Sequence, residues 1–378
     1  MANRTAFVRK RRVITRFDLI IMGVIVGLFT AIVIVITRGN GVNGAAGIPS
    51  GIVYLSPSDA SVQNLWEADP TSGRPLRQLT KAPYGILDFD VSPQGVIVYS
   101  EQKEQGDSKL MSLDRATGQS SLLYDCPDAL CMELAWRPDG QAVAFDRSAL
   151  NAGTGLGSGS PRIWIYNLAT GRSGLLFSDP GQLGYMPRWS PDGQRIAFFD
   201  SGTGRVVIHN LVSSVDSFIP ASNVQVGTFS PDGRYLWLPK TAFTTDGKNV
   251  ITRLIIVDMS TDLLTQHNLI PDSQNDDDAD PVWLPDSKTL IVLRIPSDRL
   301  EAQERQLFEV NVESGKATVL FDESGSNHRA LSLSAANDQI VFQKSQDNWQ
   351  SSQVWAYDLK TTQAKKITND GLKPRWMP

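Results

Sequence analysis

Arg188-Trp189-Ser190-Pro191-Asp192-Gly193-Gln194-Arg195-Ile196-Ala197-Phe198-Phe199 reads as the end of one apolar strand, a tight turn and the start of another. Pro191 fixes φ at the first corner, Asp192 bonds backbone two residues on, and Gly193 accepts positive φ. One copy predicts only a hairpin. The same turn recurs as Val91-Ser92-Pro93-Gln94-Gly95, Trp136-Arg137-Pro138-Asp139-Gly140, Phe229-Ser230-Pro231-Asp232-Gly233 and Trp283-Leu284-Pro285-Asp286-Ser287. Leu333-Ser334-Ala335-Ala336-Asn337 is a degenerate copy, and Arg375-Trp376-Met377-Pro378 is the first half of another. The residue two before the proline is always apolar. Successive copies stand 45, 53, 40, 54, 50 and 43 residues apart, the length of a propeller blade.

A second marker keeps the same frame. After most turns a β-rich run ends in Asp or Asn, as in Leu110-Met111-Ser112-Leu113-Asp114, Ile163-Trp164-Ile165-Tyr166-Asn167 and Val354-Trp355-Ala356-Tyr357-Asp358. An Asx there caps the turn that follows with its own side chain. Each unit is thus four strands: A before the proline turn, B after it, C ending in Asx, and D. Four-stranded sheets repeated radially make a β-propeller, and seven A strands make seven blades. Ile52-Val53-Tyr54-Leu55 has B character with no A strand before it, while the C-terminal strand has A character with no B after it. The last strand is therefore expected to complete the first blade, because an open ring would expose two sheet edges.

With Trp-Ser-Pro-Asp-Gly at 189–193, Ile-Ala-Phe at 196–198 and Ile-Thr at 367–368, the repeats resemble the TolB-like, or WD-like Pro-Asp, propeller repeat over residues 51–378. That resemblance implies the fold and leaves the activity open, since the broad family includes periplasmic scaffolds and the propellers that gate prolyl-oligopeptidase-type peptidases. It carries over no ligand-binding residue.

Residues 19–36 (LIIMGVIVGLFTAIVIVI) contain no charge and would span about 27 Å as a helix, close to the thickness of a bilayer core. Arg4, Arg9, Lys10, Arg11, Arg12 and Arg16 precede them and only Arg38 follows closely, so the positive-inside bias places the N-terminus in the cytoplasm and the remainder outside. A cleaved signal peptide is the competing reading, but its apolar region is normally shorter and Gly44-Ala45-Ala46 is only a fair cleavage site. The expected organisation is a basic cytoplasmic tail (1–18), a transmembrane helix (19–37), a Gly-rich linker (38–50) and an all-β, seven-bladed propeller of four-stranded blades (51–378). Beyond residue 38 the chain carries 29 basic against 39 acidic groups, which argues against a nucleic-acid partner.

In a propeller the A–B and C–D turns share one face, and the B–C and D–A loops share the other. The long insertions, 147–161, 239–251 and 294–305 (B–C) and 268–280 (D–A), all fall on the second face. Loops elaborated on one side of a scaffold are where binding resides, so a protein partner is expected there. The linker enters on the short-turn face, which turns the long loops away from the membrane.

Asp272, Asp276, Asp277, Asp278 and Asp280 form the densest acidic run. Asp276, Asp277, Asp278 and Asp280 are carried forward as a binding-loop candidate. The spacing of a calcium loop is missing and a solvated loop is the simpler reading. Cys126 and Cys131 are expected to pair outside the cytoplasm, and two cysteines are too few for a structural zinc site. His209, His267 and His328 fall in different blades, and His209 lies among Val and Ile as a packed residue. No Gly-x-Ser-x-Gly elbow occurs and the last blade reaches the C-terminus, so no hydrolase domain is expected. Gly153–160 (GTGLGSGS) lacks the Lys of a phosphate loop. No cofactor or metal is expected. The expected function is that of a membrane-anchored scaffold or sensor. The alternatives are a propeller enzyme working in the central tunnel, for which Asp88 and Asp90 are too few A-strand candidates, and a module recognising glycan or cell-wall polymer.

Overall fold

The computed structural model describes residues 51–71, 76–150, 159–179, 181–260, 265–269, 274–347 and 349–378. The expected transmembrane helix, the basic tail, the linker and most of the Ser-Gly tract lie outside these residues. Among the described residues no helix is long and apolar enough to cross a membrane. The regular helix there is a single 3₁₀ turn, Ser297–Arg299.

Seven antiparallel sheets form seven blades. The second blade shows the plan: A (Ile86–Val91), B (Ile97–Gln102), C (Ser108–Asp114) and D (Gln119–Cys126), each paired with the next. The ring closes as the sequence requires. Leu372–Trp376 is strand A of blade one and pairs with Ile52–Ser56 through Ile52↔Trp376 and Val53↔Arg375. Apolar alternation supplies the glue between blades rather than within them. Seven buried clusters each join neighbouring blades, from Leu65 with Phe89 and Ile97 (one and two) round to Val341 and Val354 with Ile52 and Trp376 (seven and one).

The turn chemistry is local and regular. Ser190 Oγ, fully buried, accepts the Arg195 N–H at 2.9 Å, Asp192 accepts the Gln194 N–H at 3.0 Å, and Gly193 sits at φ 66°. Ser92, Ser230 and Ser334 repeat the serine bond at their own turns. At the C–D turns, Asn210 and Asp358 accept backbone N–H groups two and three residues on.

Blade five departs from the plan. Its sheet has three strands, and the innermost segment touches strand B through a single bridge, Phe229↔Leu236. A Cβ on Gly227 would lie 1.8 Å from the Trp237 carbonyl oxygen, so only glycine permits this approach.

Two of the four expected loops are different objects. The 239–251 insertion is no loop. Strands Tyr235–Phe243 and Val250–Asp258 run on as a long hairpin paired through Phe243↔Val250. Pro239 is tolerated in it because no A strand pairs beside that stretch, so no N–H is needed there. The acidic 268–280 segment ends in strand A of blade six, Asp277–Trp283. Asp277, Asp278 and Asp280 are therefore strand residues rather than loop residues. Cys126 and Cys131 are joined by a disulfide that staples strand D of blade two to strand A of blade three, Ala129–Trp136.

Candidate functional site

The A strands surround a central cavity of about 860 Å³. Counting back from each turn proline or its equivalent, the fifth residue lines this cavity in every blade. Three of these residues are acidic (Asp88, Glu133, Asp280), one is basic (Lys373), and Met186, Val226 and Ala330 complete the ring. The backbone explains why this position projects. Glu133, Met186, Asp280, Ala330 and Lys373 sit at φ 51°, 56°, 46°, 59° and 47°, each at a shift of register between strands A and B. A bulge of this kind re-aims one side chain out of the ladder. The left-handed conformation costs such residues about 1–2 kcal/mol each. A strands run from the D–A loop to the A–B turn, so this ring stands toward the long-loop face.

Neighbouring A strands are stitched together at the same level. Asp88 accepts the Leu134 N–H at 2.9 Å and Asp90 accepts the Trp136 N–H at 2.8 Å. Asp280 accepts the Ala330 N–H at 2.7 Å, and Ser332 Oγ accepts the Trp376 N–H at 3.2 Å. Two of the four tryptophans two before the turn proline do the same from outside, while the indole N–H groups of Trp136 and Trp376 are buried without a hydrogen-bond partner among the described residues. Trp189 Nε1 donates to the Ala135 carbonyl and Trp283 Nε1 to the Thr228 carbonyl, both at 3.0 Å. The carboxylates of the ring are thus largely engaged: Glu133 also pairs with Arg188 at 3.2 Å, and Asp88 with Lys373 at 3.4 Å.

The candidates from sequence are not gathered here. Asp272 lies outside the described residues, and of the described part of the acidic run only Asp280 reaches the cavity. Asp278 is fully buried and receives Arg294 Nε and a terminal nitrogen at 2.7 and 2.9 Å. Asp276 lies 3.3 Å from Arg294, and Asp277 is paired with Arg305. These are structural ion pairs, formed because Asp278 stands opposite Arg294 in the ladder. Among the described residues no group of three or more His, Cys, Asp or Glu side chains is arranged to hold a metal. His209 pairs with Asp216 at 2.7 Å and packs on Phe177. His328 is buried against Phe321 and Phe342, and burial draws its pKa down to about 4.

Two carboxyls behind the ring are shifted upward. Asp90 is pushed up to about 6 by burial, opposed by the Trp136 N–H and Arg375. Asp146, buried on strand Ala142–Ala149, is pushed up to about 7 by burial and then by Glu133, with the Met186 N–H and Arg188 opposing. It does not reach the cavity wall, so it is not placed as a general acid. Its folded-state pKa exceeds the ordinary carboxylate value of about 3.9. The stability it contributes is therefore full below about pH 4 and lost as pH rises through about 7. Asp146→Asn is expected to stabilise the protein by about 2–4 kcal/mol near pH 8 and to change little near pH 4. Thermal melts at the two pH values check this, and an equal shift at both would show that ionisation is not the cause.

A family model described as the TolB β-propeller domain matches residues 169–378. The chain belongs to that family. Solved structures similar to this TolB-type propeller include TolB from Acinetobacter baumannii, 16% identical over 89% of this chain and 84% of that one, with a TM-score of 0.52. An oligogalacturonate lyase in complex with manganese is 12% identical over 85% and 86%, with a TM-score of 0.60. A puromycin-hydrolyzing peptidase of Mycobacterium tuberculosis is 15% identical over 87% of this chain and 54% of that one, with a TM-score of 0.58. At these identities the likeness is one of fold. No curated protein matches the chain in sequence.

Proposed function

We propose that this TolB-type propeller is a single-pass membrane protein that displays its blades outside the cytoplasm as a protein-binding scaffold or sensor. The partner engages the B–C and D–A face around the mouth of the central cavity. The observation that carries this reading is the bulged ring. Five blades hold the ring position in a costly backbone conformation and so present mixed charge to a cavity large enough for a ligand. Enzymatic use of the tunnel is less well supported. Asp88, Glu133 and Asp280 are tied to backbone N–H groups or to cations, and His209 and His328 lie away from the cavity wall. The uncharged run 19–36 with its basic flank supports the anchor.

Photo-crosslinking in intact membranes tests the reading. Reactive groups at exposed Glu301 and Gln350 on the long-loop face should capture a discrete partner, and groups at exposed Thr117 and Ser314 on the short-turn face should not. Equal capture from both faces, or none from either, removes it. Extraction with alkaline carbonate tests the anchor, which should keep the chain with the membrane.

A further inference from the structure

Charge around the cavity is unevenly satisfied. The lining carboxylates Asp88, Glu133 and Asp280 each have a hydrogen-bonded or ionic partner. Two cations on the blade-seven and blade-one side lack an ionic partner. Arg329 and Arg375 both line the cavity and neither forms an ion pair among the described residues. Arg375 reaches across the blade boundary, its guanidinium 3.5 Å from the Leu331 carbonyl on strand Asn327–Leu333, which also carries Arg329. Arg329 stacks at 3.7 Å on Trp349, which comes from the B–C loop of blade seven. Stacking occupies the face of a guanidinium and leaves its edge donors free for a planar acceptor. Lys373, shared with Asp88 at 3.4 Å, adds a third positive charge on the same wall. Asp90 and Asp280 act on Arg375 and Arg329 only through space.

We propose that Arg329, Arg375 and Lys373 form a carboxylate-binding site on the blade-seven and blade-one wall of the cavity. The proposal deepens the loop-face reading by naming the group that enters from that side. A guanidinium fork matches a carboxylate in two parallel hydrogen bonds. The lining holds four cations (Arg188, Arg329, Lys373, Arg375) against three carboxylates, an excess of one positive charge. One carboxylate neutralises that excess, whereas a phosphate dianion overshoots it and meets the acidic residues across the cavity. Partly exposed Leu372, beside the cations, gives the rest of the ligand an apolar edge to cover.

Calorimetric titration of the full chain in detergent tests the site with three probes: a neutral-residue pentapeptide with a free C-terminal carboxylate, the same peptide amidated, and a uronic acid disaccharide. The free-acid peptide is expected to bind, to weaken as salt rises, and to bind at least about tenfold more tightly than the amide. The Arg329→Gln/Arg375→Gln double variant should erase that difference with its melting temperature unchanged. If the double variant unfolds, each single substitution is measured alone. Binding of the uronate alone would keep the carboxylate site and overturn the protein-partner reading. If neither acid binds, or if the amide binds as well as the acid, the site is overturned, and capture from Glu301 and Gln350 would show that the loop-face reading survives without it.

Discussion

Deleting residues 373–378 is expected to unfold the whole propeller rather than fray one blade. The segment carries most of the strand that completes blade one, and its two large apolar side chains serve different neighbours. Trp376 packs with Val341 and Val354 of blade seven, while Met377, fully buried, packs with Ile97 and Leu113 of blade two. Losing a buried aromatic and a buried Met costs about 3–5 and 2–5 kcal/mol. That is comparable with the total stability of a typical domain, about 5–15 kcal/mol. The deletion also bares the inner edge of Ile52–Ser56, with its unpaired N–H and C=O groups. The expected result is loss of the cooperative melt followed by near- and far-ultraviolet circular dichroism. A truncated chain that melts with the intact one would overturn the account of closure. Trp376→Ala provides the graded version, expected to lower stability by about 3–5 kcal/mol with the transition still cooperative.

Asp278→Ala is expected to cost about 3–5 kcal/mol, because it strands the buried Arg294 guanidinium without its two-point partner. Burial pushes the Asp278 carboxyl up, and the hydrogen bonds and charge of the Arg294 guanidinium oppose that shift. Asp276 at 3.3 Å remains as a weaker partner, which places the loss toward the lower end of the range. Replacing both members together, Asp278→Leu with Arg294→Met, should recover most of the stability, since neither charge is then left in the blade. Urea unfolding measures all three. A single-variant loss below about 1 kcal/mol would mean that water reaches the pair.

The contrast between these cases shows where sequence is readable. The Pro191-Asp192-Gly193 turn and the Asx-capped C–D turns are decided within four or five residues, so their period gives the blades, their number and the ring closure. The acidic run misleads for the opposite reason. Asp277 and Asp278 look like a solvated loop until Arg305 and Arg294, 28 and 16 residues later, arrive as partners. The 239–251 hairpin is obscured by Pro239, whose tolerance depends on the missing neighbour strand.

The cavity ring had no signal that a single sequence could show. Glu133, Met186, Ala330 and Lys373 are not residues that favour positive φ, so nothing local announces a bulge. That conformation is imposed between blades, where an A strand must present its N–H groups to the carboxylates of the blade before it, as Leu134 does to Asp88 and Ala330 to Asp280. By itself the sequence determined the turns, the repeat and hence the closed seven-bladed ring, because those rest on short-range backbone chemistry. Tertiary structure alone decided which side chains face the cavity and which cations there lack an ion pair among the described residues, because both depend on contacts between strands some fifty residues apart.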